Sequence, residues 1–357
     1  MSKRPARLDR LPEQYFTELL ARVAAAAAAD GDPVVDVGRG NPDIPPPEHV
    51  VEALVEAARS RDPKMHGYPP FAGLPELKEA IAARYADVYG VQLDAGTEVA
   101  IVPGTKTAIV ELAVSLAERG DAILLPDPGY PDYRSGVALA GAEELRITLD
   151  PAAAFAPDFS SAPRKNIAAL YLNYPSNPCA AVAPPGVFQE AVRFAEETGA
   201  AVVHDFAYAD LVFDGRTPES FLATEGAKDV GVEMFSMSKS YGMAGWRLGF
   251  VLGNAEIVAR VELLSEHLRA GIFAPLQHAG IAALTGPQDT VAERRAIYER
   301  RRDQVLAVIP GAHSTGTFFV WFPLPKGTTP ESLLTDYRVA VATRERPYPA
   351  QIPSEAA

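Results

Sequence analysis

Short apolar runs alternate with helical patterns along most of the chain. Apolar residues recur at helical spacing in residues 50–59, 75–89 and 105–117, and residues 256–270 and 287–308 are typical of longer helices. The apolar runs that stand between helical patterns predict buried strands at 99–102, 122–125, 167–172, 201–204 and 249–252. Uniformly apolar strands that alternate with helices are typical of a parallel sheet covered on both faces, so the pattern predicts an α/β fold.

A later apolar run indicates a second, smaller domain. Residues 317–322 predict a strand that lies outside the first block of strands. We expect an N-terminal arm with part of the small domain in residues 1–45, a large domain in 46–270, and the rest of the small domain in 271–357. The stretch from Thr343 onward is rich in proline and poor in apolar residues, which predicts a loose tail.

Length, charge and cysteine content narrow the class of protein. The 357 residues suggest roughly two domains, and 48% hydrophobic with 22% charged residues is ordinary for a folded protein. The formal net charge of −13 argues against general nucleic-acid binding, which needs clustered Lys and Arg. Cys179 is the only cysteine, which excludes an intrachain disulfide and fits a reducing cytoplasm. Because the N-terminus has no signal-peptide pattern and the apolar run 24–29 is too short to span a bilayer, we expect a cytoplasmic protein.

The strongest chemical signal is the segment SMSKSYGMAGWRLG, residues 236–249. Lys239 stands between small hydroxyl residues, and Arg247 follows eight positions later among glycines. A lysine amine can form an imine with an aldehyde and then act as a base. The hydroxyls and the guanidinium suit a phosphate dianion. Ser-x-Ser-Lys alone is more typical of an exposed lysine in a Ser/Gly loop, but the continuation Gly-x-x-Gly-Trp-Arg-x-Gly favours the chemical role.

Three further segments stand at predicted strand ends, where sheets of this class bind their ligands. VHDFAY (203–208) and NYPSNP (173–178) end two of the strands. GTK (104–106) opens a helix after a third strand, where free N–H groups and the helix dipole favour phosphate. Each segment also has a purely structural explanation: Asp205 as a helix cap, Asn-Pro as a turn, and Gly-Thr as another cap.

Together these motifs resemble the class I/II aminotransferases of pyridoxal 5′-phosphate (PLP) fold type I. The subgroup that they resemble most contains LL-diaminopimelate aminotransferases and related alanine and aspartate-type enzymes. The resemblance runs from about residue 11 to residue 341. It implies a large domain with a mostly parallel sheet of the seven-stranded type between helices, and a smaller α+β domain. It also implies PLP as cofactor, a homodimer, and amino-acid and 2-oxo-acid substrates.

The resemblance assigns three catalytic residues. Lys239 would hold PLP as a Schiff base and act as the base at the α-carbon, Asp205 would pair with the pyridine nitrogen, and Tyr208 would hydrogen-bond the phenolic oxygen. The other predicted cofactor-binding residues are Gly104, Thr105, Lys106, Tyr130, Asn177, Ser236, Ser238 and Arg247, with Tyr68 contributed across the dimer interface. The predicted substrate-binding residues are Tyr15, Arg39, Gly40, Asn177 and Arg269. None of the motifs predicts a metal site, and Tyr68 and Tyr130 are also compatible with packed loop aromatics.

The resemblance weakens toward the C-terminus. The family carries an arginine on a late strand that clamps the substrate carboxylate, and no such strand follows residues 339–342. Arg344 and Arg346 stand nearby but match no local pattern. Other positions that depart from the subgroup are Arg39, Thr107, Cys179, Ala180, His267 and Arg269. Three explanations stay open: drift on a surface, a displaced carboxylate site, and an anionic substrate larger than a simple amino acid.

The leading hypothesis is a PLP-dependent aminotransferase that transfers an amino group to a 2-oxo acid. The second keeps the cofactor and changes the reaction to β- or γ-elimination, replacement or C–C bond formation, because substrate anchoring determines which bond is activated. The third is a non-catalytic protein of the same fold. The presence of Lys239, Asp205, Tyr208, Asn177 and Arg247 disfavours this third hypothesis.

Overall fold

A computed structural model describes residues 4–29 and 31–342 of the chain. Its α-helices are α1 (Ala6–Asp9), α2 (Tyr15–Ala28), α3 (Glu48–Arg59), α4 (Pro75–Tyr89), α5 (Thr105–Leu116), α6 (Tyr133–Ala140), α7 (Val187–Thr198), α8 (Ala227–Val230), α9 (Met237–Ser240), α10 (Ala255–Leu268), α11 (Ala274–Thr285), α12 (Asp289–Leu306) and α13 (Pro330–Asp336). Its strands are β1 (Val35–Asp36), β2 (Val99–Val102), β3 (Ala122–Asp127), β4 (Glu143–Asp150), β5 (Ala156–Pro157), β6 (Ile167–Asn173), β7 (Ala201–Asp205), β8 (Gly231–Ser236), β9 (Gly249–Gly253) and β10 (Val339–Ala340).

The central sheet has eight strands in the order β2-β9-β8-β7-β6-β3-β4-β5. Neighbours from β8 through β7, β6 and β3 to β4 are parallel. Strand β9 runs antiparallel to both β2 and β8, and the short β5 runs antiparallel to β4. This mostly parallel sheet confirms the predicted α/β class.

Both faces of the sheet are covered by apolar side chains. Along β3 and β6, Leu124 and Leu170 belong to one apolar cluster, and Ile123 and Tyr171 belong to the other. Helices α4 and α7 contribute to the first cluster, and α5 and α10 contribute to the second. Because both faces are covered, β8 is buried along its whole length. Double-sided burial explains why the strands appear in the sequence as uniform apolar runs.

The hydrophobic pattern does not predict β4, β8 or α11. Strand β4 carries charged residues along much of its length and is only partly buried. Strand β8 contains Glu233, which is buried because it accepts hydrogen bonds from the Tyr85 hydroxyl at 2.7 Å and the Ser220 hydroxyl at 2.8 Å. Helix α11 packs against both α3 and α4 and has no clear polar face. In each case tertiary contacts decide the element, and local periodicity does not reveal them.

The predicted strand at residues 317–322 is wrong. Thr317 has a left-handed backbone with φ of 68°, which interrupts an extended conformation. Phe318 and Phe319 instead pack edge-on against Tyr208, with ring centroids 5.4 and 5.8 Å from it. The aromatic run therefore packs in the same part of the protein as Tyr208.

The chain forms two compact units. Among the described residues, the larger unit contains 4–12 and 41–322, and the smaller contains 13–29, 31–40 and 323–342. This division differs from the expected boundary at residue 271, because later helices belong to the larger unit. Arg302 of α12, for example, binds both carboxylate oxygens of Asp214 at 2.7 and 3.1 Å.

The smaller unit contains α2 and α13, and its strands β1 and β10 pair in parallel. Arg338 joins its two chain segments by donating to the carbonyls of Ala26 and Asp32, both at 2.7 Å. The tail from Thr343, with Arg344 and Arg346, lies outside the described residues.

No helix within residues 4–29 and 31–342 has the combination of length and apolar character that a bilayer crossing requires.

Candidate active site

Neighbouring parallel strands bring polar residues together at their carboxyl ends. Asn173 ends β6 directly beside Asp205, which ends β7. The Asn173 side chain donates to the Asp205 carbonyl at 2.8 Å and accepts from the Asn177 backbone N–H at 2.7 Å. Asn173 therefore fixes the Asn177 turn against the strand that carries Asp205.

The Asp205 carboxyl group is buried and has two defined donors. The Tyr133 hydroxyl donates to one carboxylate oxygen at 2.8 Å, and the Ala207 backbone N–H donates to the other at 3.1 Å. Burial raises the pKa of Asp205, while these two hydrogen bonds, His204 and Lys239 act in the opposite direction. A buried carboxylate of this kind suits a cationic partner such as a protonated pyridine nitrogen.

Lys239 lies on the short helix α9, directly after β8. The Ser236 side chain caps this helix by accepting from the Ser238 N–H at 3.2 Å. The Lys239 Nζ lies 5.1 Å from the ring centroid of Phe318 and 5.7 Å from that of Tyr208. Burial, together with the positive charge of Arg247, lowers the pKa of Lys239 to about 8. The amine is thus partly unprotonated near neutral pH, as a nucleophile and base must be.

Tyr208 lies beside the same lysine and is buried. Burial and the nearby Asp205 carboxylate raise the pKa of Tyr208, and a hydrogen bond with Asn177 works against that rise. The phenol therefore keeps its proton and can donate it to an oxygen of a bound group. Asn177 and Tyr208 therefore lie within hydrogen-bond distance of each other.

The start of α5 and Arg247 form a cradle for an anion. Gly104 precedes Thr105 with φ of 82°, and a Cβ at Gly104 would lie 2.2 Å from Nη2 of Arg247. The backbone of Gly104, with φ of 82° and ψ of 150°, is one that glycine adopts readily and other residues do not, and glycine also leaves room for the guanidinium. Arg247 is exposed, and its Nη1 donates to the Ala244 carbonyl at 2.7 Å. The first turn of α5 supplies backbone N–H groups and the positive end of the helix dipole, which suit a phosphate.

Tyr130 and Lys106 are joined through one buried carboxylate. The Tyr130 hydroxyl donates to Asp132 at 2.7 Å, and the Lys106 Nζ lies 2.7 Å from the same oxygen. The Tyr130 ring contacts Tyr133 edge-on, with centroids 5.5 Å apart. These contacts hold the Tyr130 ring in place next to the residue that binds Asp205.

Other predicted site residues lie in different surroundings. Arg269 forms an ion pair with the buried Glu111 and also hydrogen-bonds Ser265. Tyr68 is 86% exposed in the single chain. Tyr15, Arg39 and Gly40 belong to the smaller unit, where Tyr15 begins α2, Arg39 is exposed and Gly40 is half-buried.

Three residues of the site, Tyr133, Asn173 and Phe318, are not predicted as site residues from the sequence. Asn173 has a visible signal, because it is the polar residue that ends an apolar strand run. Tyr133 and Phe318 have none, since each meets the site through contacts between segments far apart in the chain. Tyr133 lies 72 residues from Asp205.

A PLP-dependent enzyme of fold type I requires a lysine of lowered pKa, a buried carboxylate and an arginine-lined anion cradle, and here all three lie at strand ends. Residues 32–349 match the family of class I and II aminotransferases, and the chain belongs to that family. Its enzymes use PLP, so the protein is a PLP-dependent aminotransferase. The predicted fold, cofactor and reaction are thereby confirmed, and elimination or bond formation is not favoured.

Named relatives cover nearly the whole chain. The chain is 45% identical over 347 residues to L-glutamine–4-(methylsulfanyl)-2-oxobutanoate aminotransferase of Bacillus subtilis, covering 94% of this chain and 86% of that protein. It is 39% identical over 337 residues to LL-diaminopimelate aminotransferase of Moorella thermoacetica, covering 91% of this chain and 85% of that protein. The substrate-bound structure of BacF from Bacillus subtilis superimposes with a TM-score of 0.89 at 38% identity, covering 95% of this chain and 89% of that one.

Proposed function

We propose that this aminotransferase moves the amino group of L-glutamine to a 2-oxo acid with an uncharged, largely apolar side chain, such as 4-(methylsulfanyl)-2-oxobutanoate. The observation that carries the proposal is the 45% identity, over 94% of the chain, to the Bacillus subtilis enzyme named for that pair of substrates. The product of the acceptor would be methionine.

The surroundings of Lys239 support an apolar acceptor. The lysine lies against the rings of Tyr208 and Phe318. Arg269, one of the two arginines predicted to contact the substrate, is paired with the carboxylate of Glu111. An anionic substrate side chain would have to displace that carboxylate to bind the guanidinium, whereas an apolar one would not.

We assign each residue of the candidate site a role in the reaction. PLP supplies, when bound, an aldehyde that condenses with amines and a ring that accepts electrons from the α-carbon. Lys239 binds the aldehyde and carries the proton between the α-carbon and the cofactor, which its lowered pKa permits. Asp205 keeps the pyridine nitrogen protonated, while Tyr208 and Asn177 hydrogen-bond the phenolic oxygen.

The phosphate and substrate contacts are also proposals. The phosphate is placed at the start of α5, with Gly104, Thr105, Lys106, Ser236, Ser238 and Arg247 around it, and the Tyr130 ring is placed against the pyridine. We assign substrate binding to Tyr15, Arg39, Gly40 and Asn177, as the resemblance implies. Arg269 is the weakest member of the predicted set, because Glu111 and Ser265 already bind its guanidinium.

Acceptor preference tests the proposed substrates. With glutamine as donor, kcat/KM for 4-(methylsulfanyl)-2-oxobutanoate should exceed that for 2-oxoglutarate at least about tenfold, because the second carries an extra charge into an apolar site. LL-diaminopimelate should be a poor donor in the same assay. A preference for 2-oxoglutarate with LL-diaminopimelate would contradict the proposal and favour the reaction named for the Moorella thermoacetica relative.

We further propose a cytoplasmic homodimer in which Tyr68 of the neighbouring subunit reaches the phosphate. The high exposure of Tyr68 in the single chain supports this proposal. Inactive Tyr68→Ala and Lys239→Ala proteins should regain activity when their subunits are exchanged, because each hybrid dimer then holds one site with both residues intact. Exchange is followed by native mass spectrometry. Hybrids that form and stay inactive would place Tyr68 and Lys239 of the same chain in one site.

A further inference from the structure

Tyr133 is the side chain that contacts the Asp205 carboxylate directly, yet nothing in its sequence context indicates this. Tyr133 is 2% exposed and begins α6, and its hydroxyl donates to Asp205 at 2.8 Å. Its ring is packed between Tyr130 and Tyr171, with centroid distances of 5.5 and 5.3 Å. Packing on two sides fixes the direction of the hydroxyl, so the hydrogen bond to Asp205 is a built feature of the site.

We infer that Tyr133 is a positioning residue: its hydroxyl orients the Asp205 carboxylate and keeps it ionised for the pyridine nitrogen of PLP. With Tyr133 on one carboxylate oxygen and the Ala207 N–H on the other, the carboxylate cannot rotate without losing a bond. Each oxygen keeps a second lone pair, which leaves room for one more donor. A hydrogen bond to the charged form also opposes the effect of burial on the pKa of Asp205.

Several ionisable groups lie around Asp205 and interact with it electrostatically. They come from α6 and the loop before it, from β6, from β7 itself and the loop after it, and from α9. These groups are Tyr130, Tyr133, Tyr171, His204, Tyr208 and Lys239. Tyr133 differs from the other tyrosines because its hydroxyl donates to the carboxylate itself.

The test measures the affinity of the apoprotein for PLP across a range of pH, without turnover. Removing a donor to the Asp205 carboxylate raises the pKa of Asp205. Asp205 should therefore become protonated at a higher pH in Tyr133→Phe than in the parent. The ratio of variant to parent affinity should be close to one at alkaline pH. It should fall about tenfold at the acidic end, the fold-change expected for the loss of one hydrogen bond to a charged group.

Tyr171→Phe is the matched control. Tyr171 is equally buried, belongs to the same aromatic group and donates its hydroxyl to the Ile109 carbonyl at 3.2 Å. Its variant loses a buried hydroxyl without changing the number of donors to Asp205. The affinity ratio for Tyr171→Phe should therefore show no slope with pH. Circular dichroism of both apoproteins verifies that they are folded under the conditions of the titration.

The inference rests on the proposed role of Asp205. A third variant distinguishes a failure of the inference from a failure of that role. Asp205→Asn should weaken PLP binding throughout the pH range. If it does so while the ratio for Tyr133→Phe stays flat, Tyr133 is a packing residue and the inference is overturned, although the role of Asp205 stands. If Asp205→Asn binds PLP as the parent does, the role of Asp205 fails. A slope for Tyr133→Phe that Tyr171→Phe reproduces would also overturn the inference.

Discussion

Lys239→Ala should remove the visible absorption of the holoprotein and abolish turnover. The amine of Lys239 is the group proposed to bind the PLP aldehyde and then to move the α-proton, and alanine can do neither. Lys239→Arg should fail equally, because a guanidinium keeps the charge without providing a free amine. Borohydride reduction followed by peptide mass spectrometry should locate the PLP adduct on Lys239 in the parent.

A matched control and a pH series sharpen this prediction. Lys165→Ala removes an exposed lysine and should leave the adduct and the activity unchanged. Since the unprotonated amine attacks the aldehyde, the rate at which apoprotein is loaded with PLP should rise as pH increases through about 8, the pKa of Lys239. An adduct that persists in Lys239→Ala would rule out Lys239 as the anchoring residue.

Asp205→Asn should lower kcat by about a hundred- to a thousandfold, the range typical for loss of one preorganised electrostatic group. The amide has nearly the same shape, so the fold should survive, but it no longer holds a proton on the pyridine nitrogen. Single-turnover kinetics should show the loss in the α-proton step, measured with α-deuterated donor. Turnover near that of the parent would show that Asp205 only caps or packs.

The parts of the fold that the sequence predicts are those where burial acts locally. Residues 99–102 and 75–89 form a strand and a helix at the bounds that their periodicity indicates. The run at 317–322 misleads, because a left-handed Thr317 cannot be recognised from apolar character alone. Strand β8 is not predicted because Glu233 interrupts its apolar run. The burial of Glu233 depends on partners such as Tyr85, 148 residues away.

Some residues of the candidate site can likewise be predicted from local sequence, and others cannot. Lys239 and Arg247 stand in one short segment, so a single motif contains both. Asp205 and Asn177 occupy turns after strands, where polar residues stand out against apolar runs. The contact of Tyr133 with Asp205 depends on the order of strands in the sheet, which local pattern does not contain. The pairing of Arg269 with Glu111 spans 158 residues and is equally invisible.

The most direct test of the proposed reaction is a stoichiometric half-reaction. Holoprotein is mixed with glutamine in the absence of any 2-oxo acid, and the products are counted per active site. We expect one equivalent of the 2-oxo acid of glutamine and no ammonia from the α-amino group, followed by one equivalent of methionine when 4-(methylsulfanyl)-2-oxobutanoate is added. Continuous release of ammonia would contradict this reaction. It would also be contradicted by a protein that forms no methionine but accepts the amino group of LL-diaminopimelate stoichiometrically.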